Sequence, residues 1–311
     1  VAGLIGTVTL NLALDVTYEV GELVVGGSHR VAAIRQRAGG KGVNVARVAN
    51  TLGHQVLALG FVGGLTGELV AEELFDAGLT ALLTPIAGET RRTVAIVNQT
   101  DGDATIFNEA GPVVTADEWR AFHDRMPWGR LGVLACSGSL PPGLPADAYA
   151  EIAVRARHHD VLSVIDAGGD ALLSAAKAGA VVRSNAAELH EAVGPVDVEE
   201  GARQLVQLGA RAAVITDGSR GMVAASNKGV WRALPVERVA GNPTGAGDAC
   251  TAVVAAAVAA ASAGTGTEPD WSVVLKSAVA ASAAAVLTPM AGDLDLAAYR
   301  RWQPQVDVQA L

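Results

Sequence analysis

The feature that most constrains this chain is a rhythm. Short apolar runs rich in Val, Ile, Leu and Ala, at residues 4–10, 56–62, 133–137, 162–166, 180–183 and 212–216, alternate with segments of helical period. Runs of this kind predict βα units that build a parallel sheet with helices packed on it. The composition agrees: half of the residues are hydrophobic, yet only 4% are aromatic and 18% charged, so the core is built mainly from Ala, Val and Leu. Among the helices, Val45, Val48, Ala49 and Leu52 fall at i, i+3, i+4 and i+7 and predict one buried face. Thr115 with Glu118 three positions on is a capping box, opening a helix that reaches about Met126. The length of 311 residues allows one large α/β domain or two smaller ones, and neither an internal repeat nor a low-complexity linker divides it.

Bulk properties disfavour several function classes. Lys and Arg number 23 against 32 Asp and Glu, a formal net charge of −9, and there is no long basic run, so nucleic acid is a poor partner. Cys136 and Cys250 lie far apart and outside any CxxC spacing, which points to neither a zinc site nor a disulfide framework and fits a reducing cytoplasm. The opening VAGLIGTVTLNLALD lacks a basic n-region and reads as a strand rather than a signal peptide. The most apolar stretch, from Ala249, approaches spanning length but is mostly alanine, which inserts weakly into lipid, so no membrane partner is expected.

Two segments break the rhythm, residues 16–37 and 91–108, the second reading as a hairpin that turns at Asp101-Gly102. Both are short strands outside the main sheet, either plain edge strands or a lid or dimer contact. Two glycine-rich stretches point to anion chemistry. The first, AGGKGVNVARVANTLG at residues 38–53, runs Gly39-Gly40-Lys41-Gly42 as an exposed, flexible turn into a helix N-terminus, where unpaired N–H groups suit a polar or anionic guest. In the second, GNPTGAGDACTAVVAAAV at residues 241–258, Pro243 stops regular structure and Gly245-Ala246-Gly247 lead into a long helix, so their N–H groups make an anion hole. Asp248 sits in that first turn. Alone it reads as a carboxylate favoured by the helix dipole; beside an anion hole it can take a proton from a nucleophile while the amides hold the developing charge. Taken alone, Lys41 reads as a solvated loop lysine and Asn185–Glu188 as a plain helix start.

Together GGKGVNVARVANTLG and NPTGAGDAC, in this order and separation, resemble the paired signatures of the ribokinase-like, or PfkB, carbohydrate kinases. TLNLALDVTY near the start and SGSLPPGLP from Ser137 resemble the phosphofructokinase and tagatose-6-phosphate kinase branch, and the resemblance runs from about residue 4 to 290. It implies one ribokinase-like kinase domain over residues 1–311: an α/β fold, a three-layer α/β/α sandwich with a mainly parallel central sheet and a small β-strand lid from the segments near 16–37 and 91–108. It also implies ATP and Mg²⁺, with phosphoryl transfer to a hydroxyl of fructose 1-phosphate, fructose 6-phosphate or tagatose 6-phosphate, in a cytoplasmic homodimer joined through the lid strands.

Residue by residue, the resemblance makes Asp248 the base that deprotonates the sugar hydroxyl for in-line attack on the γ-phosphate, and Gly245, Ala246 and Gly247 the anion hole. Asn185 and Glu188 in RSNAAE match the N-x-x-E motif that organises Mg²⁺ around the phosphates, Glu188 acting through water. Thr216, Gly218 and Gly221 in TDGSRG hold the nucleotide, while Asp15, Gly39, Gly40, Asn44 and Ser139 bind the sugar. Lys41 is free to meet an anionic substituent, and Arg91 matches a phosphate-binding arginine, with its neighbour Arg92 facing away along the strand. Arg30 is a further cation near the sugar site.

There are departures. Leu12 stands for the usual Pro, Arg183-Ser184 precede Asn185 where the family has Lys-Pro, and Asp217 replaces an apolar residue. Ser28 stands where some phosphofructokinases carry a phosphate-binding lysine. These leave the base and the anion hole in place and bear on the identity of the acceptor. Rival classes fare worse: Gly42, not Ser or Thr, follows Lys41, so there is no P-loop, and no GxGxxG follows the first strand. A non-catalytic sugar or nucleotide sensor on the same fold is expected to have lost Asp248 or its glycines, and both are present. Within the enzymes, the alternative is a kinase of unphosphorylated sugars or nucleosides.

Overall fold

Residues 3–100, 103–263 and 268–311 are described by a computed structural model. In chain order the first half comprises β1 (Leu4–Thr9), β2 (Ala13–Val20), β3 (Ala33–Gly39), α1 (Lys41–Thr51), β4 (Val56–Val62), α2 (Gly64–Asp76), β5 (Ala81–Pro85), β6 (Arg91–Asn98), β7 (Ala104–Asn108), α3 (Ala116–Asp124) and β8 (Leu131–Ser137). The second half comprises α4 (Ala148–His158), β9 (Leu162–Asp166), α5 (Gly169–Lys177), β10 (Val181–Asn185), α6 (Ala186–Val193), α7 (Val198–Gln207), β11 (Ala212–Thr216), β12 (Met222–Ser226), β13 (Gly229–Ala233), α8 (Ala246–Ala263), α9 (Trp271–Val286), α10 (Leu296–Trp302) and β14 (Val308–Ala310).

All six apolar runs are strands of one sheet, ordered β14-β13-β12-β11-β10-β9-β8-β1-β4-β5. Pairing is parallel from β11 to β5 and antiparallel among β11, β12, β13 and β14. The pleat sends alternate residues to opposite sides. Val164, Val181 and Val214 join a cluster with α1, α8 and α9, whereas Ile165, Val182 and Ile215 join one with α4, α5 and α7, so helices cover both faces. Strand β10 runs on through Arg183, Ser184 and Asn185, past the end of its apolar run, because its backbone ladder to β11 continues to Asn185 opposite Thr216 whatever the side chains are. Thr115 and Glu118 form the reciprocal capping box at the start of α3.

Helix α1 differs from its pattern. Residues 42–49 are all buried and Leu52 only half-buried, because α1 is wedged between the sheet and α8 and so has no solvent face along that stretch. The Gly39–Gly42 stretch is likewise not an exposed, flexible turn. Gly39 ends β3 and Gly42 is the second residue of α1, both buried, while Lys41 between β3 and Gly42 stays exposed. A side chain on Gly42 would overlap Thr9 Oγ1 and the Val8 carbonyl of β1, and one on Gly40, at φ 108°, would come to 2.5 Å from Thr9 Cγ2. Glycine here lets a helix end press against a strand.

Helix α8 is long and apolar enough by length and composition to cross a membrane, with mean hydropathy 1.5 over 18 residues. Yet 61% of that stretch is buried inside the protein, between the sheet, α1 and α9. It is a core helix. The two segments that broke the rhythm form a separate four-stranded sheet, β3-β2-β6-β7, antiparallel except for β2 with β6. Its strands begin at Ala13 and end at Asn108; the Asp101-Gly102 turn lies outside the described residues. The root of this sheet packs inward through Leu14, Val16 and Ala38, while every residue of β7 is exposed.

Candidate active site

Parallel strands leave a crevice at their carboxyl ends, and β9, β10 and β11 end there in Asp166, Asn185 and Thr216, facing the first turn of α8. A cavity of about 1050 Å³ opens beside that turn, lined on one side by Arg183, Asn185, Thr216 and Gly247 and on the other by Val239, Val279 and Val286. Gly218 and Gly221, both at positive φ, also line it and bring the 217–221 turn close.

Asp248 is buried at the start of α8, and Asn44 Nδ2 of α1 donates to its Oδ2 at 2.8 Å. Burial, with the Asp166 carboxylate nearby, pushes the Asp248 carboxyl up to about 7, against the opposing pull of the Asn44 hydrogen bond, Lys41 and Arg183. Close approach shapes the turn itself. Gly245, at φ 90°, faces Ala291, where a Cβ would stand 2.9 Å from that residue's Cα, and Gly247 lies over the Arg183 guanidinium. The arrangement places a carboxylate of near-neutral pKa beside free helix N–H groups, which is suited to proton abstraction coupled to anion stabilisation.

Asn185 and Glu188 do make a capping box: Asn185 Oδ1 accepts from the Glu188 amide at 2.9 Å, and Glu188 Oε2 accepts from the Asn185 amide at 3.1 Å. The plain helix-start reading is therefore correct locally, and it leaves Glu188 Oε1 turned toward Lys41 Nζ at 4.0 Å. Lys41 Nζ is also 4.0 Å from Asp166 Oδ2. Lys41, its side chain 45% exposed, thus stands within 4.0 Å of two carboxylates at the start of α1. Among the described residues no three acidic, His or Cys side chains converge to hold a metal directly. An outward-facing Glu188 oxygen fits a hydrated Mg²⁺ held mainly by phosphates and water.

The other predicted residues gather at the root of the small sheet. Asp15 of β2 packs its carboxylate against Gly39, whose missing side chain makes room for it. Burial raises the Asp15 pKa, opposed by a Thr93 hydrogen bond and by Arg91, Arg37 and Arg47. Arg91 donates from Nε to the Asn11 carbonyl at 3.1 Å and from Nη1 to Thr93 Oγ1 at 3.3 Å and the Glu109 carbonyl at 3.4 Å. Arg92 faces away, its Nη2 reaching Thr66 Oγ1 of α2 at 3.1 Å. Ser139 Oγ accepts from Asn11 Nδ2 at 3.1 Å, and Ser28 and Arg30 are exposed in the β2–β3 loop.

Asp166, Asn11 and Arg37 were not singled out from the sequence, and Arg183 only as a departure. Asp166 carried a signal: a lone acid closing the apolar run LSVID, at the strand end where crevice residues sit. The arginines carried none, since partners such as Asp293, 2.6 Å from Arg37, are remote in sequence.

Residues 8–296 match the pfkB family carbohydrate kinase description, and the chain belongs to that family. Solved structures agree over nearly the whole length. A Staphylococcus aureus protein assigned as a phosphofructokinase is 26% identical, with TM-score 0.83 and 99% of each chain covered. Phosphofructokinase-2 from Escherichia coli, in complex with potassium, is 24% identical with TM-score 0.89, covering 97% of this chain and 99% of that one. A Thermotoga maritima protein assigned as a 1-phosphofructokinase is 23% identical with TM-score 0.83 over 99% of each. The chain is a carbohydrate kinase of ribokinase-like fold that uses ATP with Mg²⁺.

The state of Asp248 has a consequence for stability. With its pKa raised to about 7, the stability contributed by its bound proton is full below the ordinary carboxylate range and is lost as pH rises through about 7. Asp248→Asn cannot ionise, so it is expected to gain on the order of 4 kcal/mol over the wild type between about pH 4 and 8, read by urea unfolding. A gap independent of pH would show that burial of this carboxylate is not felt.

Proposed function

We propose that this kinase transfers the γ-phosphoryl group of ATP to a hydroxyl of a ketohexose phosphate, and that residues 1–311 act as one kinase domain with the small sheet as its lid. The observation that carries the mechanism is buried Asp248, with its carboxyl near pH 7, in the first turn of α8 beside the amides of Gly245 and Gly247, with the Ala246 amide between them donating to the Pro243 carbonyl at 3.2 Å. Asp248 takes the proton of the acceptor hydroxyl, that oxygen attacks the γ-phosphorus in line, and the bond to the β-phosphate oxygen breaks to release ADP. The amides hold the charge on the transferred group. Asn185, Thr216, Gly218 and Gly221 line the cavity that takes the nucleotide. Glu188 orders water around Mg²⁺, which supplies charge neutralisation at the phosphates. Lys41, between Glu188 and Asp166, contributes a positive charge on the same side.

Asp15, Gly39, Gly40 and Ser139 bind the acceptor sugar, and Asn44, already on the base, aligns the reacting hydroxyl with it. A dianionic phosphate needs cationic partners in a partly dry site, and Arg91 and Arg37 supply them around Asp15. The phosphofructokinase assignment of the Staphylococcus aureus relative supports this acceptor class. One observation favours an unphosphorylated sugar: Arg91 already spends two donors on main-chain carbonyls of the lid root, and Ser28 offers no charge.

The lid also explains the homodimer we infer. Ile34 and Phe107, on one face by the sheet register, are more than half exposed on a sheet whose outer strand is open, a surface that a second copy of this sheet would cover. Cys136 and Cys250 are buried free thiols, in keeping with a cytoplasmic enzyme.

ADP release measured across a panel of sugars and sugar phosphates tests the acceptor. A ketohexose phosphate is expected to give the highest kcat/KM, and preference for an unphosphorylated sugar would put the second reading in its place. Asp248→Asn is expected to lower kcat by about 10²–10⁴ while leaving ATP affinity intact; near wild-type turnover would remove Asp248 as the base. Arg91→Ala is expected to raise KM for the sugar phosphate about tenfold or more, with KM for ATP little changed. Light scattering at micromolar protein is expected to give the dimer mass; a monomer would leave the lid working within one chain.

A further inference from the structure

Arg183 lies on β10 two residues before Asn185, and its surroundings are unlike those of a structural arginine. In the sheet register it stands directly opposite Asp166 of β9 and Val214 of β11. Two residues earlier on the same face come Val181 and Val164, in the apolar layer beneath α8. A further aliphatic side chain would continue that layer. Instead, an arginine and an aspartate, both over nine-tenths buried, are paired there at 2.9 Å. Burying two ions costs several kcal/mol each in desolvation, and well-packed apolar residues of similar volume are commonly as stable or more so, so packing alone does not account for the pair.

The guanidinium is fixed from several sides. Nη1 donates to Asp166 Oδ1, Nη2 donates to Thr216 Oγ1 at 3.0 Å, and Nε is buried without a partner. It lies immediately under Gly247, where a Cβ would come to 2.5 Å from Nη2, and it borders the cavity beside the anion hole. A permanent positive charge is thereby set against the first turn of α8. In the phosphoryl transfer proposed above, Asp248 loses its negative charge as it takes the proton while charge gathers on the transferred group at the Gly245–Gly247 amides. The Arg183 charge favours the ionised form of Asp248, the form able to take the proton, and it stands in place, without reorganising, against the turn at which the transferred charge gathers.

We propose that Arg183 is a positioning residue for phosphoryl transfer, a fixed cation that holds the first turn of α8 against Asp166 and Thr216 and acts through the Gly247 turn on the transition state. It therefore contributes to kcat and not to the binding of either substrate. The assignment rests on the kinase reading, and the experiment separates the two. Wild type, Arg183→Gln and Arg183→Lys are compared on the best acceptor from the ADP-release panel, with both KM values, ATP·Mg²⁺ affinity and thermal unfolding. Gln keeps hydrogen bonding but loses the charge; Lys keeps the charge but not the two-armed grip.

The expected result is a fall in kcat of about 10²–10³ for Gln and about tenfold for Lys, with both KM values and ATP affinity within about threefold of wild type. A folded Gln variant with kcat within threefold of wild type overturns the proposal. So does a KM for ATP that rises tenfold at unchanged kcat, which would make Arg183 a ground-state nucleotide contact. If Gln does not fold, Lys decides alone: a tenfold loss confined to kcat supports the assignment, and kcat within threefold overturns it. A wild type that phosphorylates no acceptor overturns the kinase reading and this assignment with it, whereas an active wild type with an unimpaired Gln variant overturns this assignment only.

Discussion

The first turn of α8 is pressed from several sides, and the geometry of the site depends on where those contacts hold it. Gly245 meets Ala291, Gly247 meets Arg183 of β10, and Asp248 accepts from Asn44 of α1. Asn44 in turn lies against Gly292, so α1, the loop after α9 and the start of α8 close on one another. Each approach needs a missing side chain, which is why glycine recurs at 245, 247 and 292. A helix start held this firmly presents its free N–H groups in fixed directions, and fixed dipoles stabilise a developing charge without reorganising.

Charge around this turn is arranged in alternation. Asp248, Arg183, Asp166, Lys41 and Glu188 form a run of acid and base reaching from the helix to the cavity rim. Burial is the largest influence on Arg183 and works against its charge, but the Asp166 carboxylate and its hydrogen bond, with Cys250 and Asp248 nearby, together raise its pKa, so it stays charged. Asp248 lacks a direct cationic partner of that kind and is the member whose charge is easiest to remove. That asymmetry follows from which groups are in contact: a paired buried ion keeps its charge, and an unpaired one tends toward neutrality.

The small sheet is anchored at one end only. Arg37 of β3 pairs with Asp293, and the Ala38 amide and Arg47 of α1 share Glu73 of α2, which ties the root of the sheet to the core. Arg91 bridges the Asn11 and Glu109 carbonyls where the chain enters and leaves the sheet. Beyond the root, Ile34, Ile106 and Phe107 are open to solvent. Few buried contacts mean low local stability, so the distal half is the least anchored part of the sheet.

The sequence by itself determined the layered architecture, since apolar runs without a polar face can be satisfied only by helices on both sides of a sheet. It also marked the two glycine-led helix starts, because that chemistry is local: glycine, capping residue and helix lie within a few positions of one another. The tertiary structure alone decided which charges meet. That Lys41 lies within 4.0 Å of both Asp166 and Glu188, and that Asn44 donates to Asp248, could not be read along the chain. Helix α1 showed one apolar stripe and is buried from residue 42 to 49. The physical reason is common to all three: periodicity along the chain reports what one element needs to bury, while the partner of a polar group 204 positions away, as Asn44 is from Asp248, is set by how the layers stack.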